Sequence, residues 1–173
     1  MQAALRVIAV LAIMAVSGVA PAFAQDWAEY KPAGAGYRVE MPGAPKITVQ
    51  DAPTAIGPIK TTLAIIERGT VAFIVGHNDY PPQAIAGRPL DEVLDGIVQG
   101  QVGRNTLRDK QTITISERPG RAAIIDTPQG QVIVSRAVMV ETRLYQAIYV
   151  GPKGSETGED AKRFLESFAL VER

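Results

Sequence analysis

From Arg121 to Gly151 the chain reads RAAIIDTPQGQVIVSRAVMVETRLYQAIYVG, three runs of β-branched, aromatic and small apolar residues separated by the polar turns Pro128-Gln129-Gly130 and Glu141-Thr142-Arg143. Runs of this composition joined by short turns predict a three-stranded antiparallel meander. In the middle run Val132, Val134, Val138 and Val140 fall on one face and Ile133, Ala137 and Met139 on the other. A strand that is apolar on both faces has to be covered on both, which places this run at the centre of a sheet.

Working outward, the amino-terminal half also reads as antiparallel strand. Tyr37, Val39 and Met41 alternate with Arg38 and Glu40 before Pro42-Gly43 stops the run, and Lys46 to Gln50 follows as a second strand, ended by Asp51-Ala52-Pro53. Ile59 to Glu67 and Thr70 to Tyr80, joined through Arg68-Gly69, read as a hairpin. The period then changes. From Leu90 to Val102 apolar residues recur at helical spacing, with Asp91, Glu92 and Asp95 on the opposite side and the first two carboxylates placed to complement the helix dipole. Gly96 and Gly100 lower the helix propensity of the stretch. Gln111 to Glu117 leads into the meander, and after a loop at 151–158 a short closing helix spans Glu159 to Phe168. Strands, a helix, more strands and a final helix define an α+β fold, an antiparallel β-sheet flanked by helices.

The first 24 residues read as an export signal: Arg6, an apolar run from Val7 to Val16, and the small-x-small pattern of Ala22 and Ala24. Cleavage near Ala24 leaves 25–173 as a single domain in the periplasm or secreted, with no stable membrane insertion. An uncleaved anchor is the competing reading, and Pro21 with the small residues around it argues against that. Of 18 basic residues, loss of Arg6 leaves 17 against 18 acidic ones, a balance that offers no electrostatic footprint for nucleic acid. There is no cysteine, so stability rests on burial alone. A chain of this length buries roughly 68 to 70% of its unfolded surface, enough for one core.

Two stretches at the ends of the mature chain, Gly36-Tyr37-Arg38-Val39-Glu40-Met41-Pro42-Gly43-Ala44-Pro45 and Arg163-Phe164-Leu165-Glu166-Ser167-Phe168-Ala169-Leu170, resemble small exported bacterial proteins of the PsbP and Mog1-like class. The resemblance implies the α/β/α sandwich of that class and, because its members mostly bind partners without catalysis, a module that binds an envelope protein or small ligand. It carries no functional residue onto this sequence.

No catalytic or cofactor motif stands above background. Ser135 and Ser155 lack the Gly-x-Ser-x-Gly setting of a nucleophile elbow, and His77 is the one histidine. One histidine without cysteine does not make a zinc site, the carboxylates lack calcium-loop spacing, and Gly151-Pro152-Lys153-Gly154-Ser155 lacks P-loop spacing. The expectation is therefore no metal, no cofactor and no enzyme; the alternative is an envelope hydrolase using His77. His77 at its strand end is either satisfied by a backbone group or lines a pocket mouth with Asp79 and Tyr80, beside Pro81-Pro82. Arg136 interrupts the valine face: it pairs with Asp126 or Glu141, passes the edge of a helix, or meets a ligand carboxylate. The candidate binding surface is thus His77, Asp79, Tyr80 and Arg136. Intact mass of the exported protein should correspond to a chain that begins at Gln25; a membrane-bound species retaining Met1 would refute the cleavage.

Overall fold

A computed structural model describes residues 27–52 and 57–172. The signal segment, residues 1–24, and Pro53 lie outside the described residues. The meander forms as read: β7 (Arg118–Asp126), β8 (Gln131–Val140) and β9 (Arg143–Pro152) pair antiparallel in sequence. To it are added β6 (Thr106–Ile115) on one side and β5 (Val71–Asp79), β4 (Ile59–Arg68) and β3 (Lys46–Ala52) on the other. The resulting seven-stranded sheet has the order β3-β4-β5-β9-β8-β7-β6. Its middle strand is β9, and β8 lies next to it with Ala137, Val138 and Met139 all buried.

Both sheet faces are covered, by different means. On one face lies α1 (Leu90–Val102), whose Val93 and Leu94 meet Ala137, Met139 and Leu144 while Val98 and Val102 meet Ala123 and Ile125. Gly103, with φ of 52°, ends the helix in the left-handed region that glycine takes without strain. The opposite face carries α2 (Glu159–Ser167) and a second sheet of three short strands, β1 (Ala28–Tyr30), β2 (Tyr37–Met41) and β10 (Ala169–Leu170), ordered β1-β2-β10. Here Phe164 is fully buried and its ring meets that of Phe73 edge-on at 5.3 Å; Phe73 also meets Trp27 and Tyr149 at 5.7 and 5.6 Å. Edge-to-face aromatic packing of this kind adds to the energy of area burial. The α+β class and the order of main elements match the sequence reading.

Three differences have local causes. β6 begins at Thr106 instead of Gln111, because a bulge between Leu107 and Asp109 resets its register on β7 and interrupts the alternation. β1 and β10 are too short for a period to show; they exist because β2 lies between them and pairs with both. The carboxylates of Asp91 and Asp95, read as facing away, instead turn to Arg121 on β7.

Two substitutions should move stability in opposite directions. Val138→Asp puts an unpaired charge at a site with no exposure and should cost about 3 kcal/mol or more. Gly100→Ala should raise stability by about 0.5 to 1 kcal/mol, since a β-carbon there meets nothing within 4 Å. Urea unfolding of both variants checks the pair; a Val138→Asp protein as stable as the parent would place β8 at the periphery.

Candidate functional site

Of the four residues singled out in the sequence, His77, Tyr80 and Arg136 each line a different depression, and Asp79 pairs beside His77. His77 on β5 faces the α2 side of the sheet, its ring 6.4 Å from that of Tyr37 and 6.2 Å from that of Tyr145. Its Nε2 stands 4.0 Å from Asp79 Oδ2, and Asp79 in turn accepts from Nε and Nη2 of Arg143, its direct cross-strand neighbour. His77 lines a depression of about 390 Å³ together with Tyr30, Tyr37, Thr62 and Arg143. The hydroxyls there belong to Tyr30, Tyr37 and Thr62; burial holds both tyrosines above the usual phenol range.

Arg136 lies on the same sheet face but under α2. Its Nη1 donates to the carbonyl of Leu165 at 2.9 Å, satisfying an orphan acceptor in the last helical turn. Burial lowers its pKa, opposed by the charge of Glu166. Of the readings open from sequence, passage along a helix edge is the one this geometry matches. Asp126 is engaged elsewhere, with Arg108 and Lys153. Of the four residues, then, the structure joins His77 to Asp79 and sets Arg136 and Tyr80 apart from them.

Tyr80 belongs to a different place, a groove of about 500 Å³ on the opposite sheet face, between α1 and the strands β5 and β9. Ile85, Val93, Ile97, Leu144 and Ile148 supply its apolar surface. A polar relay crosses it. Ser135 Oγ donates to Gln101 Oε1 at 2.7 Å, Gln101 Nε2 to Gln146 Oε1 at 3.2 Å, and Gln146 Nε2 to Asn78 Oδ1 at 3.4 Å. Tyr80 lines the groove next to Asn78; burial pushes its phenol up, opposed by the Asn78 side chain. Ser135 and Gln146 are buried, so this mutual pairing is what makes their burial affordable. Gly96 and Gly100, one turn apart, bring bare backbone to the groove side of α1 and leave the space open. Volume, apolar walls and a few fixed polar groups are the attributes of a small-ligand site.

The groove wall is held by charge. Arg121 is 6% exposed, and its Nε and Nη2 donate to Asp95 and Asp91 of α1, each at 2.8 Å. Lys110 adds a second cation to Asp95 at 3.1 Å. Asn78, Gln101, Gln146, Arg88 and the two glycines were not singled out as site residues from the sequence. Two signals pointed to them: a pair of glycines four apart on a helix, and glutamines at positions otherwise apolar. Among the described residues no group of three His, Cys, Asp or Glu is placed to hold a metal ion.

No protein-family model matches the chain, and no curated protein does. Among solved structures, the solution structure of cyanobacterial PsbP (CyanoP) from Synechocystis matches over 90% of this chain and 99% of that one, with a TM-score of 0.51 and 10% identity. The fold is therefore PsbP-like; at that identity the likeness extends to architecture alone. A Pseudomonas aeruginosa protein of unknown function matches over 75% of this chain and 85% of its own, at 8% identity and a TM-score of 0.39, too low to bear on the argument.

Hydrogen bonds from Arg121 and then Lys110 hold the Asp95 carboxyl below the usual carboxylate range. A lowered folded pKa stabilises the fold above the unfolded value, near pH 4, and the contribution is lost as pH falls through the folded one. Asp95→Asn should thus be less stable than the parent at pH 7 and converge on it toward pH 2. Urea midpoints across that range test this; a constant gap between the two proteins would assign the loss to something other than the charge.

Proposed function

We propose that this chain is a non-catalytic binding module of the cell envelope, exported and released after cleavage near Ala24, and that the α1 groove is where it holds a small ligand or a partner's side chain. The observation that carries the reading is the groove's make-up. Its polar groups are three amides, a phenol and the guanidinium of Arg88, none of which is a base near pH 7, so they orient a ligand without taking a proton from it. Catalysis by activation of a nucleophile or water asks for a base beside an activated group. The alternative, an envelope hydrolase using His77, draws on the approach of His77 to Asp79. Its depression is lined by tyrosine and threonine hydroxyls.

The two readings separate in one set of measurements. Small molecules or proteins that co-purify with the mature protein from its own envelope, identified by gentle mass spectrometry, should be lost from Gly100→Trp, which fills the groove from a position with open space. In parallel, generic ester, phosphate and peptide substrates should show no turnover. Turnover that disappears in His77→Ala would replace the binding reading with the hydrolase.

A further inference from the structure

The chemistry of the α1 groove specifies more than a ligand of suitable size, through the polar groups in its lining and the sign of its charge. In the relay every proton points the same way: Ser135 donates to Gln101, Gln101 to Gln146, and Gln146 to Asn78. The relay ends on Asn78 Oδ1, which accepts from Gln146, and Tyr80 lines the groove beside it with a phenolic hydroxyl that is able to donate. Reversing the relay would require turning three amides together and would leave Ser135, buried to 1% exposure, without its acceptor.

At the same mouth stands Arg88, in the segment between Tyr80 and α1. Its guanidinium lies over the helix: a β-carbon on Gly96 would stand 3.8 Å from Nη2. Among the described residues Arg88 is in no ion pair, and no Asp or Glu lines the groove. The depression beside Arg136 is different, its Arg136 and Lys162 being matched by Asp109, Glu156 and Glu166. The α1 groove therefore presents one uncompensated cation and one phenolic hydroxyl above apolar walls. A cationic ligand meets repulsion there and a neutral apolar one leaves both donors unanswered. A dianionic phosphate brings more charge and more acceptors than two donors match.

We propose that the groove takes a small amphipathic monocarboxylate, its carboxylate between Arg88 and the Tyr80 hydroxyl and its apolar body on Ile85, Ile97, Leu144 and Ile148. The inference rests on the reading of the groove as a binding site and adds the ligand class. Amide NMR titration of the mature protein with octanoate, and with 1-octanol as its neutral counterpart, tests it. Octanoate should bind saturably, with shifts centred on Gly96, Ile97, Gly100 and Gln146. Both 1-octanol binding to the parent and octanoate binding to Arg88→Gln should be weaker by about tenfold, the usual worth of one charge-assisted hydrogen bond. No saturable octanoate binding, 1-octanol binding as tightly, or an unaffected Arg88→Gln each overturns the carboxylate class and leaves the groove itself standing. Octanoate binding that survives in Gly100→Trp would put the site elsewhere and overturn both readings.

Discussion

A seven-stranded sheet with apolar side chains on both faces has to be covered twice, and this constraint shapes everything else in the molecule. Strands spaced about 4.8 Å apart give a sheet roughly 29 Å across, whereas a helix with its side chains is about 10 Å wide. Among the described residues the α-helices available for the purpose have 13 and 9 residues. On the α2 side the shortfall is made up by β1, β2 and β10, which carry Tyr37, Val39 and Met41 into the core. On the other side, among the described residues, α1 is assisted only by the short turn at Pro82–Ala84 with Ile85 after it. It covers β7 and β8 with part of β9, and Leu63, Ile65, Ile74 and Ile148 beyond it remain half-buried. The groove is the consequence: a margin of sheet that one helix is too narrow to close.

Hydrophobic contact alone leaves such a helix free to slide toward the uncovered strands, because apolar attraction has no direction. Arg121 supplies direction. Its side chain is buried where β7 passes under α1, and it donates to two carboxylates one turn apart on the helix. Removing a guanidinium from water is costly, and the gain from pairing only roughly offsets that cost, so the net stabilisation is modest. The benefit is register. A planar fork bonded to Asp91 and Asp95 admits one position of the helix along the sheet, and that position leaves Gly96 and Gly100 beside Asn78 and Gln146.

The same physics decides what could be read from the sequence. β2, the β4–β5 hairpin, α1, the meander and α2 announce themselves because each buries one face or two and its period shows over five or more residues. α1 was legible to the residue, Leu90 to Val102. β1 and β10 are three and two residues long, and nothing so short carries a period. The site was legible only where it coincides with the end of a strand. His77, Asp79 and Tyr80 are consecutive or nearly so, yet alternation in a strand sends Tyr80 to the face opposite His77 as surely as it sends Asn78 there. Arg136 drew notice as a charge among valines, and its partner proved to be a helix carbonyl, a group invisible in residue types. Asn78, Gln101 and Gln146 come from three elements, and only the tertiary fold lines up their amides.

The relay also bears on why a groove of this kind stays polar inside. Ser135 and Gln146 on the sheet and Gln101 on α1 occupy positions where apolar residues would pack helix against sheet at no desolvation cost, and an all-apolar contact would draw the helix down over the margin. Amides joined end to end cannot be compressed in that way without breaking the bonds that satisfy the buried Ser135 and Gln146. The row therefore works as a spacer as well as a surface. It holds Gln101 of α1 at hydrogen-bonding distance from Ser135 of β8 and Gln146 of β9, and it ends at Asn78, with the Tyr80 hydroxyl beside it in the groove lining. On the proposed reading, the polarity that keeps the groove open is also what fixes the chemistry of the group it receives.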